Sequence, residues 1–369
     1  RDVREIAKEL QVRYILEGSI RRSGGRIRVA IDLVDAETGN HIWSQKFDRL
    51  IDDIFAVQDE ISATVIVAIA PEIGQAEILR TKRRPPDSLD AWGQYQKALS
   101  FFYSGEETDR REAVELFDRS HTSDPDLVDA LAMASLTRLR LVYHQAPADS
   151  EALIEQARQL LHRAIRLDHS NVASKVAMAR LQIVIGNYEQ ALDESNDALE
   201  LNPNSMLAQM EKTMALHALG RWGEALEGWE KMIRLSPRDP FLQGFHTGRS
   251  HCLFLVGRYE ECVDVARKTL ANSNPRWWVD AILVSALAKL GRRVELDAAK
   301  KNLLARKPAF SIAELSKSPA RWPKIIIDAL RQAGLPEGGH SKTNLAKSSV
   351  CAFHVAVNGS VLWPRAKPH

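Results

Sequence analysis

Polar and apolar positions change rhythm along the chain, and each rhythm predicts a different element. From Arg26 to Asp35 they alternate. Ile27, Val29, Ile31 and Leu33 fall on one side, and Arg26, Arg28, Ala30 and Asp32 on the other. Period two with branched apolar residues predicts a strand with one buried face. Val12 to Ile20, rich in Val, Ile and Tyr, predicts a strand before it. Ile42 to Phe47, with Trp43, Gln45 and Phe47 on one face, predicts a strand after it. Arg22-Ser23-Gly24-Gly25 and Glu37-Thr38-Gly39-Asn40 are the expected turns, since glycine takes positive φ at little cost. A helix is expected from Asp52 or Asp53, a capping carboxylate. Phe55, Ile61, Val65 and Ile69 form its apolar stripe, and Pro71 interrupts it.

Arg83-Arg84-Pro85-Pro86-Asp87-Ser88 then reads as a stiff, solvated linker. From Asp90 to about Pro308 the pattern is helical and repeats. Gly186 and Gly220, Tyr188 and Trp222, Ala191 and Ala225, and Pro203 and Pro237 are each 34 residues apart, as are Gly257 and Gly291. Small residues recur between them: Ala113, Ala134, Ala157, Ala164, Ala179, Ala198, Ser250 and Cys262. A glycine with free φ closes the first helix of each unit. Alanines let helix axes approach to ~8–10 Å, and proline stops the second helix. No unit buries its stripe alone, so neighbours must stack. Pro319 to Leu335 predicts a capping helix with Ile326, Ile327 and Leu330 inward and Gly334 closing it. Beyond Pro336 no period continues.

Composition narrows the function classes. The chain has 369 residues, 45% hydrophobic and 27% charged, close to an ordinary globular protein. A net charge of +2 gives no general pull toward nucleic acid or anionic lipid. No apolar run approaches the ~18 residues of a membrane span. Three cysteines are too few for a disulfide framework, so a reducing, cytoplasmic setting is expected. Cys252 and Cys262 read as buried small hydrophobes.

Chemistry-bearing motifs are missing or weak. Neither HExxH nor CxxC occurs, so no metal site is expected. Gly338-Gly339-His340-Ser341-Lys342-Thr343 lacks the glycine directly before lysine that a phosphate loop needs, and no strand precedes it. Arg21, Arg22, Arg26 and Arg28 read as a solvated hairpin face. The acids from Asp48 to Glu60 read as helix-terminus charges. No catalytic residue or cofactor site is assigned.

The 34-residue period with two helices per unit resembles the tetratricopeptide repeat. The resemblance implies a mainly α fold: an α-solenoid preceded by a small α/β domain of antiparallel strands plus helix. The expected organisation is an α/β domain at 1–82, a linker at 83–89, six repeats at 90–310, a cap at 311–335 and a disordered tail at 336–369. In such a solenoid the first helix of each pair lines a concave groove. By register, Arg180, Met210, Met214, His217, His251 and Trp278 would face it. This mostly apolar surface suits a hydrophobic or helical protein segment rather than an acidic tail. The alternative is that these side chains pack between helices.

Val12 to Arg49, followed by Asp52 to Ile61, resembles the TolB amino-terminal-like segment of bacterial multidomain regulators, there followed by tetratricopeptide repeats. It implies a class III adenylate/guanylate cyclase domain, or a winged-helix DNA-binding domain, further upstream. The chain opens on Arg1 and is expected to be the downstream part of such a protein. The expectation is a non-catalytic, protein-binding region of a signalling protein, with a nucleotide cyclase as the first reading and the effector region of a winged-helix transcription regulator or a free-standing tetratricopeptide scaffold as the alternative. Its partner would be a protein or peptide, not nucleic acid, with self-association as a further option.

Overall fold

The computed structural model describes residues 3–10, 12–23, 25–50, 61, 62, 64, 65, 69, 73, 90–104, 109–145, 147–237, 239–271, 277–316 and 322–338. A short helix α1 (Val3–Leu10) leads into strands β1 (Tyr14–Ser23), β2 (Arg26–Asp35) and β3 (Asn40–Leu50). They form an antiparallel sheet in the order β1-β2-β3. The alternation read from the sequence holds. Ile27, Val29, Leu33, Trp43 and Phe47 are buried on one face, under the helical positions Ile61, Val65, Ile69 and Ile73. Gly25 and Gly39 both have positive φ, of 78° and 76°. The second turn is fastened by Asp35, whose carboxylate accepts from the Glu37 and Thr38 N–H groups. Asp48, expected among the helix-terminus acids, lies on β3 instead. There it takes two hydrogen bonds from the exposed Arg28 guanidinium, at 2.9 and 2.7 Å. Phe55, the Asp52/Asp53 cap, Pro71 and the Pro85-Pro86 linker lie outside the described residues.

Six helical hairpins follow: α2 (Ala91–Ser104) with α3 (Asp109–Ser123), α4 (Val128–Gln145) with α5 (Ser150–Leu167), and α6 (Val172–Ile185) with α7 (Tyr188–Leu201). Next come α8 (Met206–Ala218) with α9 (Trp222–Leu235), α10 (Leu242–Leu255) with α11 (Tyr259–Leu270), and α12 (Trp277–Lys289) with α13 (Arg293–Arg306). The two helices of a pair play different parts. Helix α4 is buried continuously from Ala130 to Val142 and α12 from Val279 to Leu287. Helix α5 buries only Leu153, Ala157, Leu161 and Ala164. A helix buried all round sits between neighbours, and one with a single apolar stripe forms an outer layer.

The period-marking glycines do identical work. Gly186, Gly220, Gly257 and Gly291 have φ between 66° and 88°. At each, the glycine N–H and the following N–H turn back onto carbonyls of the closing helix, as at Gly186→Ile183 and Asn187→Gln182. This Schellman closure satisfies carbonyls that the helix end would otherwise leave open. Next door, Arg221, Arg258 and Arg292 each grip a glutamate three residues on (Glu224, Glu261, Glu295). First helices start on side-chain caps at Asn171 and Ser205.

The small positions lie inside the stack. Ala113, Ala134, Ala157, Ala179, Ala191, Ala198, Ala225, Ser250 and Cys262 are fully buried. Ala225→Trp should therefore lower unfolding free energy by about 1–3 kcal/mol or more through overpacking. Val294→Trp, at a position 86% exposed, should leave the urea midpoint unchanged.

Among the described residues two short helices follow, α14 (Ile312–Ser316) and α15 (Lys324–Gln332). Helix α15 packs on α12, with Ile326, Ile327 and Leu330 buried as expected, and Gly334 ends it at φ 73°. The expected tail starts too early at 336. The Pro336 and Glu337 carbonyls accept from the Ile312 and Ala313 N–H groups, and Glu337 pairs with Arg331. Residues from 339 onward lie outside the described part.

Candidate interaction groove

Equivalent positions on successive first helices come face to face, because each repeat sets its neighbour down one step along the stack. Arg180 and Met214 are one period apart, and the Arg180 Nη2 sits 3.2 Å from the Met214 Sδ. His217 and His251 are also one period apart. Their rings stack at 4.7 Å between centroids and 27° between planes. The His217 Nδ1 also lies 3.4 Å from the Cys252 Sγ.

At the Arg180 end the surface closes over. Arg180 is 1% exposed and donates from Nη2 to the Glu211 Oε1 at 2.8 Å, and Glu211 is fully buried. The guanidinium lies over the Tyr143 ring at 5.2 Å. Arg140 of α4 is held between Phe102 of α2 and Phe241, which precedes α10, at 4.7 and 4.2 Å. Phe241 in turn meets the rings of Phe102 and Tyr103. The stack curls until its first hairpin touches the lead into its fifth. Burial and the nearby Arg180 charge lower the Arg140 pKa to about 9.

The structure corrects part of the expected groove. Arg180 and Met210 are interior side chains, not surface ones. Met214, His217, His251 and Trp278 are half-buried and stay at the edge. Trp277 and Trp322 extend the row: Trp322 meets His251 edge-on at 5.2 Å, and Trp277 stacks on Trp322 at 6.4 Å. Glu211 had a sequence signal, an acid inside the otherwise apolar run MLAQMEKTMALHA. Trp322 had none, since it is brought in from beyond the last hairpin.

The groups here are chemically quiet. Burial lowers the His217 pKa to about 4, and burial plus the neighbouring ring lowers that of His251 as well. Both rings are neutral at pH 7. Burial pushes the Cys252 and Cys262 thiols up to about 12, too high to supply thiolate. Among the described residues, no group of three or more His, Cys, Asp or Glu is placed to hold a metal ion. None of the described helices is long and apolar enough to cross a membrane. What the arrangement offers is a curved aromatic and thioether edge.

No family model matches the chain. Among solved structures, it is similar to the APC/C hetero-tetramer Cut9–Hcn1, at 15% identity and TM-score 0.53 over 70% of this chain and 46% of that one. It is also similar to Pseudomonas aeruginosa PilF, at 14% identity and TM-score 0.44 over 60% of this chain and 93% of that one. A thermophilic TPR protein of Thermus thermophilus aligns at 16% identity and TM-score 0.42, over 53% and 98%. The fold is a tetratricopeptide-repeat solenoid. In sequence, the chain is 31% identical over 200 residues to "Putative adenylate cyclase 3" of Rhizobium meliloti (strain 1021). That match takes in 53% of this chain and 33% of the other, so the chain spans about a third of that protein's length.

Proposed function

We propose that the chain is the non-catalytic regulatory and protein-interaction region of a bacterial nucleotide cyclase. The observation that carries this is the pairing of a repeat solenoid with similarity to a protein named as an adenylate cyclase. Burial makes the groove histidines weak bases and keeps its thiols protonated at pH 7. The resemblance of Val12 to Arg49 to the TolB amino-terminal-like segment supports the same architecture. A helical or hydrophobic partner segment would lie against Met214, His217, His251 and Trp278. Cut9–Hcn1 is a hetero-tetramer, a precedent for this kind of solenoid meeting another protein. A partner that favours one orientation of the attached domain biases it only by its difference in affinity for the two.

Two measurements test the reading. Coding sequence upstream of Arg1 should specify a class III catalytic domain with two metal-binding aspartates; a winged helix there would overturn the cyclase assignment. The purified chain should make no cyclic AMP from ATP with Mg²⁺ or Mn²⁺, and turnover would end the non-catalytic claim. For the groove, Trp278→Glu should cut partner recovery by cross-linking at least tenfold while leaving the thermal midpoint within a few degrees. Equal recovery would place the docking face elsewhere.

A further inference from the structure

The described residues cover only half of one face of the sheet. Val29, Leu33, Trp43 and Phe47 are buried, but their neighbours on β1 are not: Leu16 is 46% exposed and Ile20 70%. Between them, at Gly18, lies an apolar hollow of about 280 Å³ edged also by Val29 and Ile31. β1 is an edge strand, paired only with β2 among the described residues. It is ten residues long and carries neither proline nor lysine. Charged side chains also blunt an edge, and β1 carries Glu17, Arg21 and Arg22, which oppose pairing unless they meet opposite charge.

The polar face of β1 carries a second mismatch. Glu17 stands directly opposite Asp32 of β2, and Arg21 directly opposite Arg28. Like charges across a ladder are unfavourable. Asp48 relieves Arg28, but no ion pair relieves Glu17 or Arg21 among the described residues.

We propose that β1 pairs antiparallel with β1 of a second copy, about a two-fold axis at Ser19, making one continuous six-stranded sheet. Antiparallel edges join only when residues of the same parity face each other, so the axis must pass through a residue. An axis at Glu17 sets Glu17 on its own copy, and one at Arg21 does the same to Arg21. An axis at Ser19 sets Glu17 opposite the second copy's Arg21, twice over. Each charge then has an opposite partner to set against the like charge inside its own sheet. The same register sets Ile20 opposite the second copy's Gly18, so the most exposed apolar side chain of the strand meets the hollow that the missing side chain leaves. The interface is isologous, as closed two-fold symmetry requires.

Sedimentation velocity of the whole chain should show a species of twice the 41.4 kDa monomer mass, populated reversibly with concentration. Glu17→Arg and Arg21→Glu should each shift it to monomer at least tenfold in concentration. The double swap should restore the dimer, which separates lost pairing from lost folding. In a Cys351→Ser background, Ser19→Cys should cross-link under mild oxidation, because residues facing each other across a ladder lie ~4.5–5.5 Å apart at Cα, within disulfide reach. A wild-type chain that stays monomeric up to its solubility limit overturns the proposal. So does a dimer that survives Glu17→Arg or that Ser19→Cys fails to lock.

Discussion

Glu211→Leu should destabilise the solenoid by about 3–5 kcal/mol, the cost of leaving a buried charge without its partner. Arg180 is 1% exposed, and its head is ringed by Tyr143, Met214 and the lost carboxylate. Its Nε and Nη1 are already buried without a hydrogen-bond partner among the described residues. The double variant Arg180→Met, Glu211→Leu should recover most of that loss, since a packed apolar pair avoids the desolvation of both ions. Urea midpoints of the four proteins give the coupling energy directly. A single variant costing under about 1 kcal/mol would mean that the arginine finds solvent, and that the curl between Phe102 and Phe241 opens readily.

Acid should loosen the same region through its histidines. The folded pKa of His217 is about 4, against an unfolded value near 6.5, and His251 is lowered too. The unfolded chain therefore binds more protons, and the histidine contribution falls as pH drops below about 6.5. For His217 alone the loss grows to roughly 3 kcal/mol by pH 4, at 1.36 kcal/mol per unit. His251 adds in the same direction, first through its burial and then through the neighbouring ring, stacked at 4.7 Å. Asp280 works against this trend. Burial raises it to about 6 despite Arg306, so its contribution grows as pH falls through that value. The informative quantity is thus the stability of wild type minus that of His217→Phe, His251→Phe, followed from pH 7 to 4. It should move steadily against wild type. A difference independent of pH would show the rings to be solvated in the fold.

The parts of the fold legible in the sequence are those governed by neighbours along the chain. A helix-closing glycine needs positive φ whatever surrounds it, so Gly186, Gly220, Gly257 and Gly291 announced the hairpins. Alternation along Arg26 to Asp35 encoded the buried face of the sheet because the pleat itself has period two. The alanines betrayed the close helix contacts in the same way. The candidate groove was legible only as register. Which residues share the inner faces of the first helices follows from the 34-residue step, and the Arg180–Met214 and His217–His251 contacts obey it.

Exposure did not follow from that step. Whether an inner side chain meets solvent depends on how far the stack curls, and curvature sums a small rotation at every interface. No local pattern encodes that sum. It carries Phe241 to Phe102 across more than a hundred residues, and in the same stack Arg180 and Met210 are buried while Met214, His217, His251 and Trp278 are half-buried. The placing of Trp322 on His251 is likewise a product of packing between distant segments, and so is the exposure of Leu16 and Ile20 on β1, which the described residues leave uncovered. The repeating unit was thus determined by the sequence alone, through torsion and periodicity. Which of its surfaces stay open was decided only by the tertiary structure, through long-range closure.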